Sequence, residues 1–240
     1  MALLDAQTIC SLARQAAKCP GYAVQSGQYL NMVLEDLAQN YDFDTIKGTF
    51  TFNFSSGSNG PYTLPADWYR GIDRDIFYTI DGVPYPMVNI EEDEFDNLVT
   101  TAGLNGFPIY YMTDMSATPP TMSVWPPASG AYPVTAKYYK ASPTISSPET
   151  SSSTPWFPST NYLVTRLAGE LMKLTNDDRA PFFLGNKDES KDTDSSATAI
   201  LRAYLKMKDD RGGKVYQVQL DRRLFGYSWD RLPNTKQIGW

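Results

Sequence analysis

Histidine is absent from all 240 residues. It is the commonest general base and metal ligand near neutral pH, so Ser-His-Asp catalysis, Cys-His catalysis and His-ligated metals are excluded. Cysteine is scarce, with Cys10 and Cys19 the only two. Both fall on a predicted helix and its exit, where a rise of ~1.5 Å per residue sets them beyond a disulfide's reach. Two reduced packing residues and an intracellular folding environment are the expectation. No apolar run approaches the ~18 residues that a membrane span needs. The opening MALLDAQT carries no basic residue ahead of its short apolar stretch, so a soluble chain without a signal peptide is expected. The motifs G-x-S-x-G and Cys-x-x-Cys are missing too.

What is abundant is aromatic: 16 Tyr, 11 Phe and 5 Trp. Tyrosine suits half-buried sheet faces and contact surfaces, because its ring packs while its hydroxyl stays hydrogen-bonded. Charge is uneven. The net is −6, yet Arg202 to Trp240 holds nine Lys/Arg against four Asp/Glu, and the preceding 201 residues hold twelve against twenty-three. An acidic body therefore carries a basic end.

Periodicity divides the chain. Two helices open it, Asp5 to Lys18 with Ile9, Leu12, Ala13, Ala16 and Ala17 on one side, then one starting after Ser26-Gly27 with Tyr29, Leu30, Val33, Leu34, Leu37, Ala38 and Tyr41. From Lys47 the period becomes two, and Phe50, Phe52 and Phe54 alternate with small polar residues. Asp75–Ile80 and Val83–Val88 read as strands joined by an Asp81-Gly82 turn. A short helix capped by Asn89 runs to Thr100, with Phe95, Leu98 and Val99 inward. Strands follow at Pro108–Met112, Thr121–Trp125 and Val134–Tyr139, the last two reading as a hairpin across Pro126 to Gly130. Residues 142–159 are rich in Ser, Thr and Pro and read as a linker. Two more helices follow, one from Thr160 or Asn161 and one capped by Ser195 or Ser196 and stopped at Gly212-Gly213.

The expected fold class is α+β. A four-helix bundle, two helices N-terminal and two C-terminal, would carry an inserted antiparallel β domain and an extended C-terminal arm. The expected boundaries are 1–46 for the helical hairpin, 47–141 for the β domain, 142–159 for the linker, 160–213 for the second helical pair and 214–240 for the arm.

Candidate chemistry is thin. Glu91, Glu92, Asp93, Glu94 and Asp96 could supply paired carboxylates for glycoside hydrolysis. They fall in the first turns of a short helix, however, where the dipole favours negative charge for structural reasons alone. Residues 186–194 resemble fragments of a calcium loop but lack the sixth-position glycine and the closing glutamate. The glycines of Ser55–Gly60 have no following lysine to hold a phosphate. No metal, cofactor or enzymatic activity is expected. The arm is different: Tyr216, Arg222, Arg223, Leu224, Phe225, Tyr227, Trp229, Arg231 and Trp240 have the composition of an interface clasp. A self-packed terminal strand and a single-strand nucleic-acid binder are the other readings, and the acidic body weighs against the latter.

Four segments together resemble a known family: Leu64-Pro65-Ala66-Asp67-Trp68-Tyr69-Arg70, Gly106-Phe107-Pro108-Ile109-Tyr110-Tyr111, Met122-Ser123-Val124-Trp125-Pro126-Pro127 and Val134-Thr135-Ala136-Lys137-Tyr138-Tyr139. In this order they resemble the head-to-tail adaptor (connector or tail accessory) proteins of short-tailed bacteriophages. Pro126-Pro127-Ala128 departs from the more usual spaced Pro-x-Pro. The resemblance implies a non-enzymatic structural virion protein, a ring of typically twelve subunits beneath the portal at the capsid vertex. It implies assembly in the host cytoplasm, an arm that grips portal and neighbouring subunits, an opposite end that receives a tail or nozzle protein, and DNA passing through the lumen without specific binding. Subunit or tail contacts are expected at Trp125, Tyr132, Tyr138, Glu91, Glu92 and Asp93. A β-sandwich carbohydrate- or receptor-binding virion module is the alternative.

Overall fold

The computed structural model describes residues 3–100, 105–185 and 195–211. The chain is α+β, with helices at both ends of its described length and two sheets between them. It forms two compact units. One holds Thr8–Ser26 and the described chain from Ser159 onward; the other holds Asp5–Gln7 and Gly27–Pro158.

In the β-containing unit, alternating residues form two four-stranded sheets. The first has the order β1 (Lys47–Asn53), β8 (Pro133–Lys140), β3 (Trp68–Ile80), β4 (Val83–Pro86), all antiparallel. The second has the order β2 (Tyr62–Thr63), β7 (Thr121–Trp125), β6 (Tyr110–Asp114), β5 (Val88–Asn89). Its β5–β6 pair is parallel, so the β region is mixed where antiparallel pairing was expected. Trp68, Ile76, Tyr78, Val134, Ala136 and Tyr138 of the first sheet share one buried cluster with Tyr111, Met122 and Val124 of the second. The sheets therefore pack face to face.

Three details depart from the sequence reading. Val83–Val88 is two strands, because the chain leaves one sheet for the other at buried Met87: its N–H bonds the Ile76 carbonyl, whereas Val88 N–H bonds the Ile109 carbonyl. Asn89 consequently lies in a strand, and the short helix α3 spans Glu92–Thr100 with Phe95 as its buried residue. Thr121–Trp125 and Val134–Tyr139 do not pair as a hairpin, since β7 and β8 belong to different sheets. Residues 126–132 cross between them, held by Gly57 N–H to Ala128 O (2.7 Å), Gly106 N–H to Pro127 O (2.8 Å) and Ser129 N–H to Gly106 O (2.8 Å). The Asp81-Gly82 turn joins β3 to β4 as expected, with both residues at positive φ (49° and 82°).

Helix α2 spans Ala23–Asn40 and runs through Gly27, where a start was expected. Glycine is needed inside this helix because a Cβ there would lie 2.3 Å from Glu149 Oε2 and 3.1 Å from Pro148 Cδ. The Ser/Pro-rich stretch that supplies those atoms is bound along its length. Asn31 both donates to and accepts from the Ile145 backbone, the Trp156 indole donates to Ser142 Oγ, and Phe157 is buried edge-on against Phe43. Ser151 and Ser153 carbonyls accept the Gln7 and Ala6 N–H groups at the first turn of α1 (Ala6–Ala17).

In the helical unit, α4 (Thr160–Leu174) is capped by Ser159, one residue before the expected start, and buries Leu163, Leu167, Leu171 and Met172. A one-turn helix not anticipated from periodicity, α5 (Ala180–Leu184), packs closely on Gly169 of α4, where a Cβ would fall 2.6 Å from Leu184. Helix α6 (Ala197–Arg211) is capped by Ser196, as expected. Cys10 and Cys19 are buried and are not joined in a disulfide. No helix among the described residues is long and apolar enough to cross a membrane. The helices expected to form one bundle are divided between the units, α2 lying mostly in one and α4 and α6 in the other. The calcium-loop-like stretch 186–194 and the arm 214–240 lie outside the described residues.

Candidate interaction surface

The segments that carry the family resemblance meet in pairs. The first, Leu64 to Arg70, is fastened to the last, Val134 to Tyr139. Tyr138 donates its hydroxyl to Asp67 Oδ1 (2.9 Å) and stacks on Trp68 (centroids 4.7 Å apart, planes at 14°). Asp67 O accepts the Ala141 N–H (2.8 Å), and Arg70 lies over the Tyr139 ring (4.6 Å) while pairing with Asp42. These are framework contacts. Tyr138, expected at a contact surface, is only 4% exposed and belongs to the core.

Burial, then the bond to Asp67, pushes the Tyr138 phenol up to about 12 from an ordinary 10.0. The folded state thus resists ionising this group. Its contribution to stability is whole below pH 10 and is lost as pH rises through about 12. Urea unfolding should therefore find Tyr138→Phe less stable than the natural chain at pH 8, with the gap narrowing by pH 11. A gap that does not change with pH would contradict this.

The other two segments form neighbouring strands of the second sheet, with Tyr110 opposite Trp125 and Tyr111 opposite Val124. Here the surface is apolar. Phe107 is 56% exposed, Val88 53%, Ile109 52% and Tyr85 43%. They form two linked groups. The Phe107 ring lies 6.0 Å from Tyr132, Tyr132 5.6 Å from Tyr78, and Tyr78 stacks on Tyr85 at 5.5 Å. Val88 N–H bonds the Ile109 carbonyl at 2.9 Å, and Phe107 is two residues from Ile109. Three residues after Val88 begin the exposed acids Glu91, Glu92 and Asp93, the last two in the first turn of α3. Exposed apolar surface beside a charged rim is the composition of a protein contact surface.

Of the residues expected at this surface, Trp125 and Tyr132 are half-buried and Glu91, Glu92 and Asp93 are exposed. Phe107, Ile109, Val88 and Tyr85 were not anticipated as exposed, because alternation marks two faces of a strand without saying which is covered. The arm residues Tyr216 to Trp240 lie outside the described residues. Among the described residues, burial and hydrogen bonding shift several titratable groups. Burial raises Cys19, Tyr78, Tyr138 and Tyr139, and bonds from Ser116 and Arg179 lower Asp114 and Asp177. Bonding to Asp44 and Asp177 raises Lys47 and Arg179.

A family model described as SU10 adaptor protein matches residues 5–226. No curated protein matches the chain.

Proposed function

The chain belongs to the SU10 adaptor protein family, and from that premise we propose that it forms the ring joining portal to tail in a short-tailed bacteriophage. The match across residues 5–226 is the observation that carries this reading. The coarser part, a structural adaptor of a phage particle, follows from the family. The proposal adds the ring of about twelve copies with closed symmetry, the portal at the capsid vertex as one partner, a tail or nozzle protein as the other, and DNA passing through the lumen.

Several observations support the finer reading. Copies in a ring meet through two different patches, so one chain can carry an acidic surface and a basic end that attract each other. An acidic lumen would repel DNA and limit sticking. The exposed group of Phe107, Ile109 and Val88, with half-buried Trp125 and Tyr132 and the acids Glu91, Glu92 and Asp93, serves as a subunit or tail contact. The arm, with Tyr216, Arg222, Arg223, Leu224, Phe225, Tyr227, Trp229, Arg231 and Trp240, grips the portal and neighbouring copies.

The test is the mass of the purified full chain, alone and mixed with its cognate portal, by native mass spectrometry. A closed ring, formed alone or on the portal, is the expected species; a monomer in both samples would contradict the proposal. Within it, Phe107→Ala should weaken the contact by about 2 kcal/mol or more, read as a higher dissociation concentration with an unchanged circular-dichroism spectrum. Unchanged affinity would remove Phe107 from the contact.

A further inference from the structure

The two edges of the first sheet are built differently. In the two-residue hairpin, Ile80 and Val83 exchange backbone hydrogen bonds, so Tyr85 and Met87 also turn inward, as the Met87 N–H bond to Ile76 O confirms. The outward amide positions of β4 are therefore 84 and 86, and both are proline. That edge has no N–H at either position to offer another strand. At the opposite edge, Phe54 N–H bonds Tyr132 O at 2.9 Å, and the register continues through Phe52↔Val134 and Phe50↔Ala136. Even-numbered residues of β1 thus bond β8. The backbone groups of Thr49, Thr51 and Asn53 point outward, and none of these is proline. Among the described residues no strand lies beyond β1. Phe50 and Phe52, which pack against the core cluster, stay half-buried at this rim.

We infer that the open edge of β1 is an acceptor for an added strand, and that its occupant is residues 214–220 of a neighbouring copy. The inference rests on the ring reading, in which donor and acceptor must sit on one chain and meet between copies. The sequence continues past Arg211 with Gly212-Gly213 and then Lys214-Val215-Tyr216-Gln217-Val218-Gln219-Leu220, seven residues against the seven of β1, of which 216–220 alternate apolar with polar. It lacks proline and is rich in strand-forming types. Its two faces match those of the edge. Tyr216, Val218 and Leu220 would extend the row of Phe50 and Phe52, while Gln217 and Gln219 would lie beside Thr49 and Thr51.

The test uses full-length chains carrying single cysteines, mixed in pairs under mild oxidation with the oligomer mass recorded in parallel. Thr51→Cys chains should cross-link to Gln217→Cys or Gln219→Cys chains about tenfold more than Val83→Cys chains do, because docking raises the local thiol concentration. That result supports strand exchange between copies. Rings that form without this cross-link overturn the inference and leave the ring reading standing. Monomers without it overturn both. A disulfide that appears only within one doubly substituted chain overturns the assignment to a neighbour.

Discussion

Replacing Trp68 with alanine is expected to cost about 3–5 kcal/mol, the usual loss when a buried aromatic leaves a cavity. A domain of this kind has about 5–15 kcal/mol in all, so the variant should be partly unfolded at moderate urea concentrations. Trp68 is 2% exposed and sits in the cluster shared by both sheets. It also covers the Tyr138 ring, so its loss opens a contact between β3 and β8, the two central strands of the first sheet. Trp68→Phe separates packing from polarity. The indole N–H is buried with no hydrogen-bond partner among the described residues, and such an orphan donor costs about 1–3 kcal/mol. Phenylalanine removes that cost and keeps a stacked ring, which offsets part of its smaller volume. Equilibrium unfolding should place Trp68→Phe within about 1.5 kcal/mol of the natural chain, in the range of a shape-conserving swap. Equal losses for both variants would show that the stack contributes little.

Gly60→Ala is the second large effect. Gly60 sits at φ +109°, and an added Cβ would lie 2.8 Å from the Met122 carbonyl oxygen. The backbone conformation alone costs about 1–3 kcal/mol for a residue with a side chain. The neighbouring oxygen is backbone of β7, itself paired with Tyr62 of β2, so it cannot swing away as a side chain would. The loop also bonds β7, the Asn59 carbonyl accepting from Val124 N–H (2.8 Å), and the crossing between the sheets, the Ser58 carbonyl accepting from Ala128 N–H (3.3 Å). Gly82→Ala is the matched comparison, because φ is +82° there but nothing lies within 4 Å of the added atom. Thermal unfolding should lower the midpoint for both variants, and by clearly more for Gly60→Ala, where the contact with Met122 adds to the shared backbone cost. Equal shifts would mean that the contact with Met122 is relieved cheaply.

Much of this architecture was legible because its periods are local. The stripe from Leu30 to Ala38 is helical, Thr121–Trp125 alternates over its whole length, and Asp81-Gly82 demands the turn it makes. Pairing was not legible, because alternation identifies a strand and says nothing about its partner. The segments on either side of Pro126 looked like a hairpin for that reason, yet seven intervening residues suffice to change sheets. Val83–Val88 looked like one strand because the crossing at Met87 inserts no turn residue. Gly27 looked like a helix start, and only the approach of Glu149, distant in sequence, explains a glycine inside the helix. At the candidate surface, the acids of α3 were legible from the preference of helix starts for negative charge. The exposure of Phe107 and Ile109 was not, since both belong to an alternating run whose next member, Tyr111, is buried.

The most direct test of the adaptor reading is cosedimentation of the full-length chain, and of a chain ending at Gly213, with the cognate portal ring. Stoichiometric binding by the full chain that is lost on truncation is the expected result, with the arm as the clasp. Failure of the full-length chain to bind the portal at all would contradict it.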